Sequence, residues 1–98
     1  MGHEIKKTRP VLIVQHNTLN QHNALTIVAP ITSQQTERCY ITEVRVPEGI
    51  LPKPSKIIVN QLRCIDRRRL VKRLGTLSPT ALHSVNNTLS LVLQLTDD

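Results

Sequence analysis

The stretch that decides the fold is residues 55–79, SKIIVNQLRCIDRRRLVKRLGTLSP, where one kind of hydrophobic pattern gives way to another. Up to Gly75 it is rich in Ile, Val and Leu without helical spacing, and it predicts two or three short strands broken near Asp66 and near Gly75. Ser78-Pro79 then starts a helix: Ser78 can cap the first free N–H groups, and Pro79 at the first helical position loses nothing by lacking one. Downstream, Leu82, Val85, Leu89 and Val92 recur at helical spacing and predict a core-facing stripe.

Working outward towards the amino terminus, the pattern stays β. Pro10 suits the first position of a strand, and Val11-Leu12-Ile13-Val14 reads as that strand. His16 to Asn23 is a polar connection. ALTIVAPI, residues 24–31, is a second β-rich run in which Pro30 predicts a bulge or edge near the end. Cys39 to Val46 alternates, which places Tyr40, Thr42, Val44 and Val46 on one face and Glu43 and Arg45 on the other. PEGILPKP, residues 47–54, is an irregular loop. Strands followed by one terminal helix predict a mainly β domain, a small antiparallel barrel or half-barrel with a C-terminal helix packed on it.

The chain has 98 residues, enough for a single domain spanning 1–98. Only 1% of it is aromatic, with Tyr40 the one ring among Phe, Tyr and Trp, so aliphatic side chains must fill the core. Aromatics bury the most area per residue, and a small domain without them either is marginally stable alone or completes its core with a partner chain. The net charge of +6 is concentrated between Lys53 and Arg73, where Lys53, Lys56, Arg63, Arg67, Arg68, Arg69, Lys72 and Arg73 face one acid, Asp66. Such a field favours a polyanion or an acidic protein segment, although a solvated basic face has the same composition.

Other classes are disfavoured. Cys39 and Cys64 have neither metal-ligand spacing nor the density of a disulfide scaffold, and they fit a reducing cytoplasm. The four histidines include no pair at helical spacing, so no metal or cofactor is expected. No apolar run approaches membrane-spanning length.

Taken in order, EIKKTRPVLIV (4–14), IVAPITS (27–33), LPKPSKIIVNQLRCIDRRRL (51–70) and LGTLSP (74–79) before a closing helix resemble the PemK/MazF toxin family of bacterial toxin-antitoxin systems. The resemblance implies an SH3-like barrel of the PemK/MazF/CcdB-like kind. It also implies a homodimer that cleaves single-stranded RNA without a metal and is silenced by a cognate acidic antitoxin. Family members ordinarily begin with a strand resembling G-D-I-W-x-V-D-L, and this chain begins beyond it, so a barrel incomplete at its amino terminus is expected. Two other functions remain open from the sequence: an inactive homologue that only binds an antitoxin, and a gyrase-targeting toxin of the related fold.

The site residues follow from the same resemblance. Arg9 falls at the family's catalytic arginine, and a guanidinium fork suits a pentacoordinate phosphate. Its pKa makes proton abstraction a poor role, so transition-state stabilisation is the expected one. Thr32, in A-P-I-T-S, falls at the second catalytic position, where a hydroxyl can donate to a phosphate oxygen; without that context it is an ordinary turn threonine. Glu4, Ser33, Gln61 and Arg63 are expected to bind substrate, with Glu4 also a candidate general base. Of the arginine run 67–69, one member is expected to pair with Asp66. A chain with a single aromatic also lacks most of the stacking platforms that single-strand binders use.

Overall fold

The computed structural model describes residues 9–14 and 24–95. Five strands, β1 (Val11–Ile13), β2 (Leu25–Thr32), β3 (Glu43–Arg45), β4 (Lys56–Ile58) and β5 (Arg63–Asp66), precede one helix, α1 (Pro79–Val92). All pairings are antiparallel. The strand order is β1-β2-β4-β3, with β5 also on β2. Among the described strands the sheet is therefore mainly antiparallel and open rather than closed into a barrel.

β2 organises the sheet because it is long enough to serve three partners. Val28 pairs with Ile13 of β1 on one edge and with Arg63 of β5 on the other. Beyond it, Ile31 and Thr32 take Ile57 and Lys56 of β4. The Ile31 N–H donates to the Pro10 carbonyl on the β1 edge at 3.2 Å. Alternation of N–H directions then turns Pro30 towards the opposite edge, in the gap where β5 has ended and β4 has not begun. A residue with no N–H stands where no ladder partner is available, which is the physical content of the expected irregularity at Pro30.

One face of this sheet is the core. Ala29, Val44, Ile57, Val59 and Val85 are buried together, with Leu12, Val14, Ile31, Val46, Leu89 and Val92 packed around them. The aliphatic composition is met by β-branched side chains on strands, which suit a pleated surface. Helix α1 closes the core. The Ser78 Oγ accepts the Ala81 N–H at 3.2 Å, and Pro79 opens the helix as expected. The docking stripe is rotated from the expected one: Ala81 is buried while Leu82 is 42% exposed. The spacing 81, 85, 89 fits the helical period as well as 82, 85, 89 does, and the small Ala81 side chain lets the first turn approach the sheet closely.

One other expectation is corrected. The strand expected over Cys39–Val46 forms only at Glu43–Arg45, because the Glu43 N–H returns to the Tyr40 carbonyl at 2.9 Å and closes a turn. Tyr40 is thereby exposed, not aligned with buried Val44. The long β-prone stretch forms two strands, with β5 ending at Asp66 as expected; a 3-10 turn at Val59–Gln61 separates them, and a second at Arg67–Arg69 follows, with no further strand before Gly75. In the proline-rich loop the chain turns at Gly49, whose φ of 95° is open to glycine at little cost.

Candidate functional site

Strand alternation dictates what lies on the face away from the core. Ile31 and Ile57 point inward, so their neighbours Thr32, Lys56 and Ile58 point out. Lysines at outward positions ordinarily reach solvent, but Lys56 is buried. Its ammonium donates to Glu43 Oε1 at 2.9 Å and to the Arg38 carbonyl at 3.1 Å. It also lies 5.6 Å from the centroid of the Tyr40 ring.

These contacts fold the segment 33–42 back across the sheet. The Tyr40 N–H donates to Glu43 Oε1 at 3.0 Å, and the Arg45 guanidinium donates to the Thr36 carbonyl. At the start of the segment the Gln34 N–H donates to Thr32 Oγ1 at 3.1 Å, and Gln35 takes a φ of 52°. Thr32 is thus both the turn residue and the potential donor of the two sequence readings. Its oxygen accepts from Gln34, and its hydroxyl hydrogen can still serve another acceptor.

Burial pushes the Glu43 carboxyl up, but the Tyr40 N–H and the hydrogen bond and charge of Lys56 outweigh it, so its pKa is held below the ordinary glutamate value. Glu43 is therefore an ionised anchor, poorly suited to take a proton at neutral pH. The same logic operates outside the site at Asp66, whose pKa is lowered by the hydrogen bonds from Arg68. Arg68 Nη2 lies 2.8 Å from Asp66 Oδ2, so Arg68 is a member of the arginine run that pairs with Asp66.

Between the folded-back segment and the outer sheet face is an open depression of about 390 Å³, lined by Thr32, Gln34, Gln35, Tyr40, Thr42, Glu43, Lys56, Ile58, Asn60 and Gln61. Of the residues expected from sequence, it brings together Thr32 and Gln61. Ser33 is exposed next to Thr32. Arg9 is exposed and does not line the depression; it precedes β1 by two residues, where Val11 faces Pro30, and Thr32 lies two residues beyond Pro30 on β2. Arg63 stands apart, at the start of β5 opposite Val28. It is four positions along β2 from Thr32, roughly 13 Å at strand spacing. Glu4 lies outside the described residues. Among the described residues no three His, Cys, Asp or Glu side chains gather into a metal-binding cluster.

Lys56, Glu43 and Tyr40 are the site residues that the sequence reading missed. Lys56 was read as one more member of the basic block. The available signal was its place in S-K-I-I-V, where a strand position flanked by buried residues makes a lysine answerable to an acid on the adjoining strand.

A small open antiparallel sheet packed by one carboxy-terminal helix, with a polar depression on its outer face, is the architecture of compact toxins built on an SH3-like sheet. The family model for the PemK-like, MazF-like toxin of type II toxin-antitoxin systems matches residues 1–93, and the chain belongs to that family. It is 34% identical over 96 residues to the protein named endoribonuclease MazF of Staphylococcus saprophyticus, covering 96% of this chain and 80% of that one. The Mycobacterium tuberculosis toxin MazF-mt6 superposes with a TM-score of 0.81 at 26% identity, over 91% of this chain and 89% of that one. An endoribonuclease from a mycobacterial species, solved in complex with its cognate antitoxin, shares the fold with a TM-score of 0.82 at 22% identity, over 98% and 90% of the two chains.

Proposed function

We propose that this chain is the toxin of a toxin-antitoxin pair and acts as a metal-independent, sequence-specific endoribonuclease on single-stranded RNA. The observation that carries this reading is the family membership over residues 1–93, supported by a polar depression that holds Thr32 and Gln61 in a chain of net charge +6. The curated relative named an endoribonuclease supports the reaction class. Solved relatives in complex with an antitoxin support an antitoxin as protein partner. A cytoplasmic homodimer, with the RNA groove running between protomers, completes the proposal.

The chemistry needs no group beyond the chain and its substrate. The ribose 2′-oxygen attacks the adjacent phosphorus and loses its proton to a base. The phosphorus–O5′ bond breaks, and a proton passes to O5′, leaving a cyclic phosphate and a 5′-hydroxyl end. Negative charge builds on the non-bridging oxygens between these steps. The Arg9 guanidinium and the Thr32 hydroxyl are the donors that stabilise it, and such donors count for most where they are fixed before reaction. Gln61 and Ser33 contact the nucleotides on either side, and Arg63 holds a phosphate further along the strand. Glu4 is the carboxylate proposed for base contact or proton abstraction, and Glu43 is committed to Lys56.

The test is incubation of the purified protein with a long single-stranded RNA in EDTA. Discrete fragments with 5′-hydroxyl ends, lost in Arg9→Ala, are expected. Random degradation that survives Arg9→Ala would overturn the reading. Intact RNA together with tight binding of a co-encoded acidic protein would instead make the chain an antitoxin-binding homologue without cleavage.

A further inference from the structure

We propose that Tyr40 is a platform on which one base of the RNA stacks, and that the Glu43–Lys56 pair holds it in place; the inference rests on the endoribonuclease reading above. Single-strand binders commonly use aromatic faces, and this chain has one Phe, Tyr or Trp ring to offer. That ring takes no place in the core. Tyr40 is 57% exposed, although a ring buried among the aliphatic side chains would add more apolar area than any residue there. It lies instead on the wall of the depression that also contains Thr32 and Gln61.

The ring is also held from behind. The Tyr40 N–H and carbonyl are both engaged by Glu43, through its carboxylate at 3.0 Å and its backbone N–H at 2.9 Å. The Lys56 ammonium, 5.6 Å from the ring centroid, takes up one side of the aromatic system and leaves the exposed part to a ligand. A buried ion pair contributes little net stability over an apolar pair of the same volume, so its more evident effect here is to fix the segment that carries Tyr40. Rigid placement of the platform lowers the ordering cost of binding.

The lining chemistry selects a nucleobase over an acidic peptide. The cation within the depression is neutralised by Glu43 and has no charge to spare for a carboxylate. Gln34, Asn60 and Gln61 supply amides, which both donate and accept and so match the edge of a base. A flat ring flanked by amides fits a base that is flat on its faces and polar on its rim.

Because Tyr40 is the only tyrosine, protein grown with 3-fluorotyrosine has a single ¹⁹F resonance. The probe is a short 2′-O-methyl oligonucleotide spanning a cleavage site mapped with the wild-type protein; it cannot undergo 2′-attack. Saturable movement of the resonance upfield is expected as the oligonucleotide binds. Tyr40→Leu should weaken binding about tenfold or more, while Tyr40→Phe, which keeps the π-face, should bind like wild type. If the oligonucleotide binds with the resonance unmoved, or binds Tyr40→Leu as tightly as wild type, while Arg9-dependent cleavage persists, the stacking role is wrong and the endoribonuclease reading stands. If RNA is neither cut nor bound, both fall together.

Discussion

The Lys56 ammonium lies 2.9 Å from Glu43 Oε1 across the β3–β4 ladder, with the two side chains 4% and 10% exposed. The register makes the pair diagonal. Lys56 directly faces Arg45, and Glu43 faces Ile58. Two cations opposite one another on a sheet repel, and the conflict is resolved by dividing their partners. Lys56 leans to Glu43 and the Arg38 carbonyl, and Arg45 turns to the Thr36 carbonyl.

Removing one member of this pair should cost far more than removing both. Lys56→Met leaves the Glu43 carboxylate buried without its cation and is expected to destabilise the fold by about 3 kcal/mol. In the double variant Lys56→Met/Glu43→Leu most of that loss should be recovered. Urea unfolding of the two single variants and the double variant measures the coupling. A loss of under about 1 kcal/mol for Lys56→Met would assign the pair the weight of an exposed salt bridge.

The same pair sets the acid limb of stability. Glu43 has its folded pKa depressed from the ordinary value of 4.5, with Lys56 the charged group facing it. A depressed carboxyl pKa contributes stability that is fully present above the unfolded value and lost as pH falls through the folded one. Stability should therefore be flat through neutral pH and decline below about pH 4.5. Glu43→Gln should be less stable at pH 7 and show a shallower decline, read from urea midpoints across the acid range. Asp66, also depressed, belongs to the same limb, and Asp66→Asn separates its share.

Most of the elements are legible in the sequence, whereas their pairing order and much of the site are not. β2, β4 and α1 were readable because local signals agree with their surroundings: ALTIVAPI and KIIV are β-branched runs, and Ser78-Pro79 is a cap that works through its own next three residues. Cys39–Val46 was misread because alternation is a local pattern, whereas the turn at Tyr40 depends on a carboxylate three residues on and a lysine on another strand. Thr32 and Gln61 are expected from motifs, and both line the depression. Lys56 was hidden for the opposite reason: its composition says solvent, and only the fold supplies the acid and carbonyl that bury it.

The helix tests which reading of its stripe holds. Val85 is 2% exposed against the core, and Val85→Ala removes two buried carbons, for an expected loss of about 2 kcal/mol. Leu82→Ala removes more atoms from a residue 42% exposed and should cost less than Val85→Ala. Ser78→Ala should cost about 1 kcal/mol through the lost cap, with Ser78→Asp retaining it. Thermal melts of the four variants give the order directly. A larger loss at Leu82 than at Val85 would return the stripe to the expected one.

The last prediction concerns Arg9 and Thr32, the two donors proposed to stabilise the phosphorane. Thr32→Val keeps the shape of the side chain but removes the hydroxyl, so it leaves the Gln34 N–H without its acceptor and a phosphate oxygen without its donor. Cleavage should fall by about 100-fold, the usual effect of losing one such donor. Thr32→Ser should retain most activity. Arg9→Lys keeps the charge and loses the two-pronged geometry, so it should fall well below wild type even at saturating RNA. If both groups act on one phosphorane, the double variant Arg9→Ala/Thr32→Val should be little worse than Arg9→Ala alone, since a site that has lost its principal donor cannot use the second. Single-turnover cleavage of an end-labelled RNA separates the outcomes. Losses that multiply in the double variant would mean that the two residues act on different parts of the reaction.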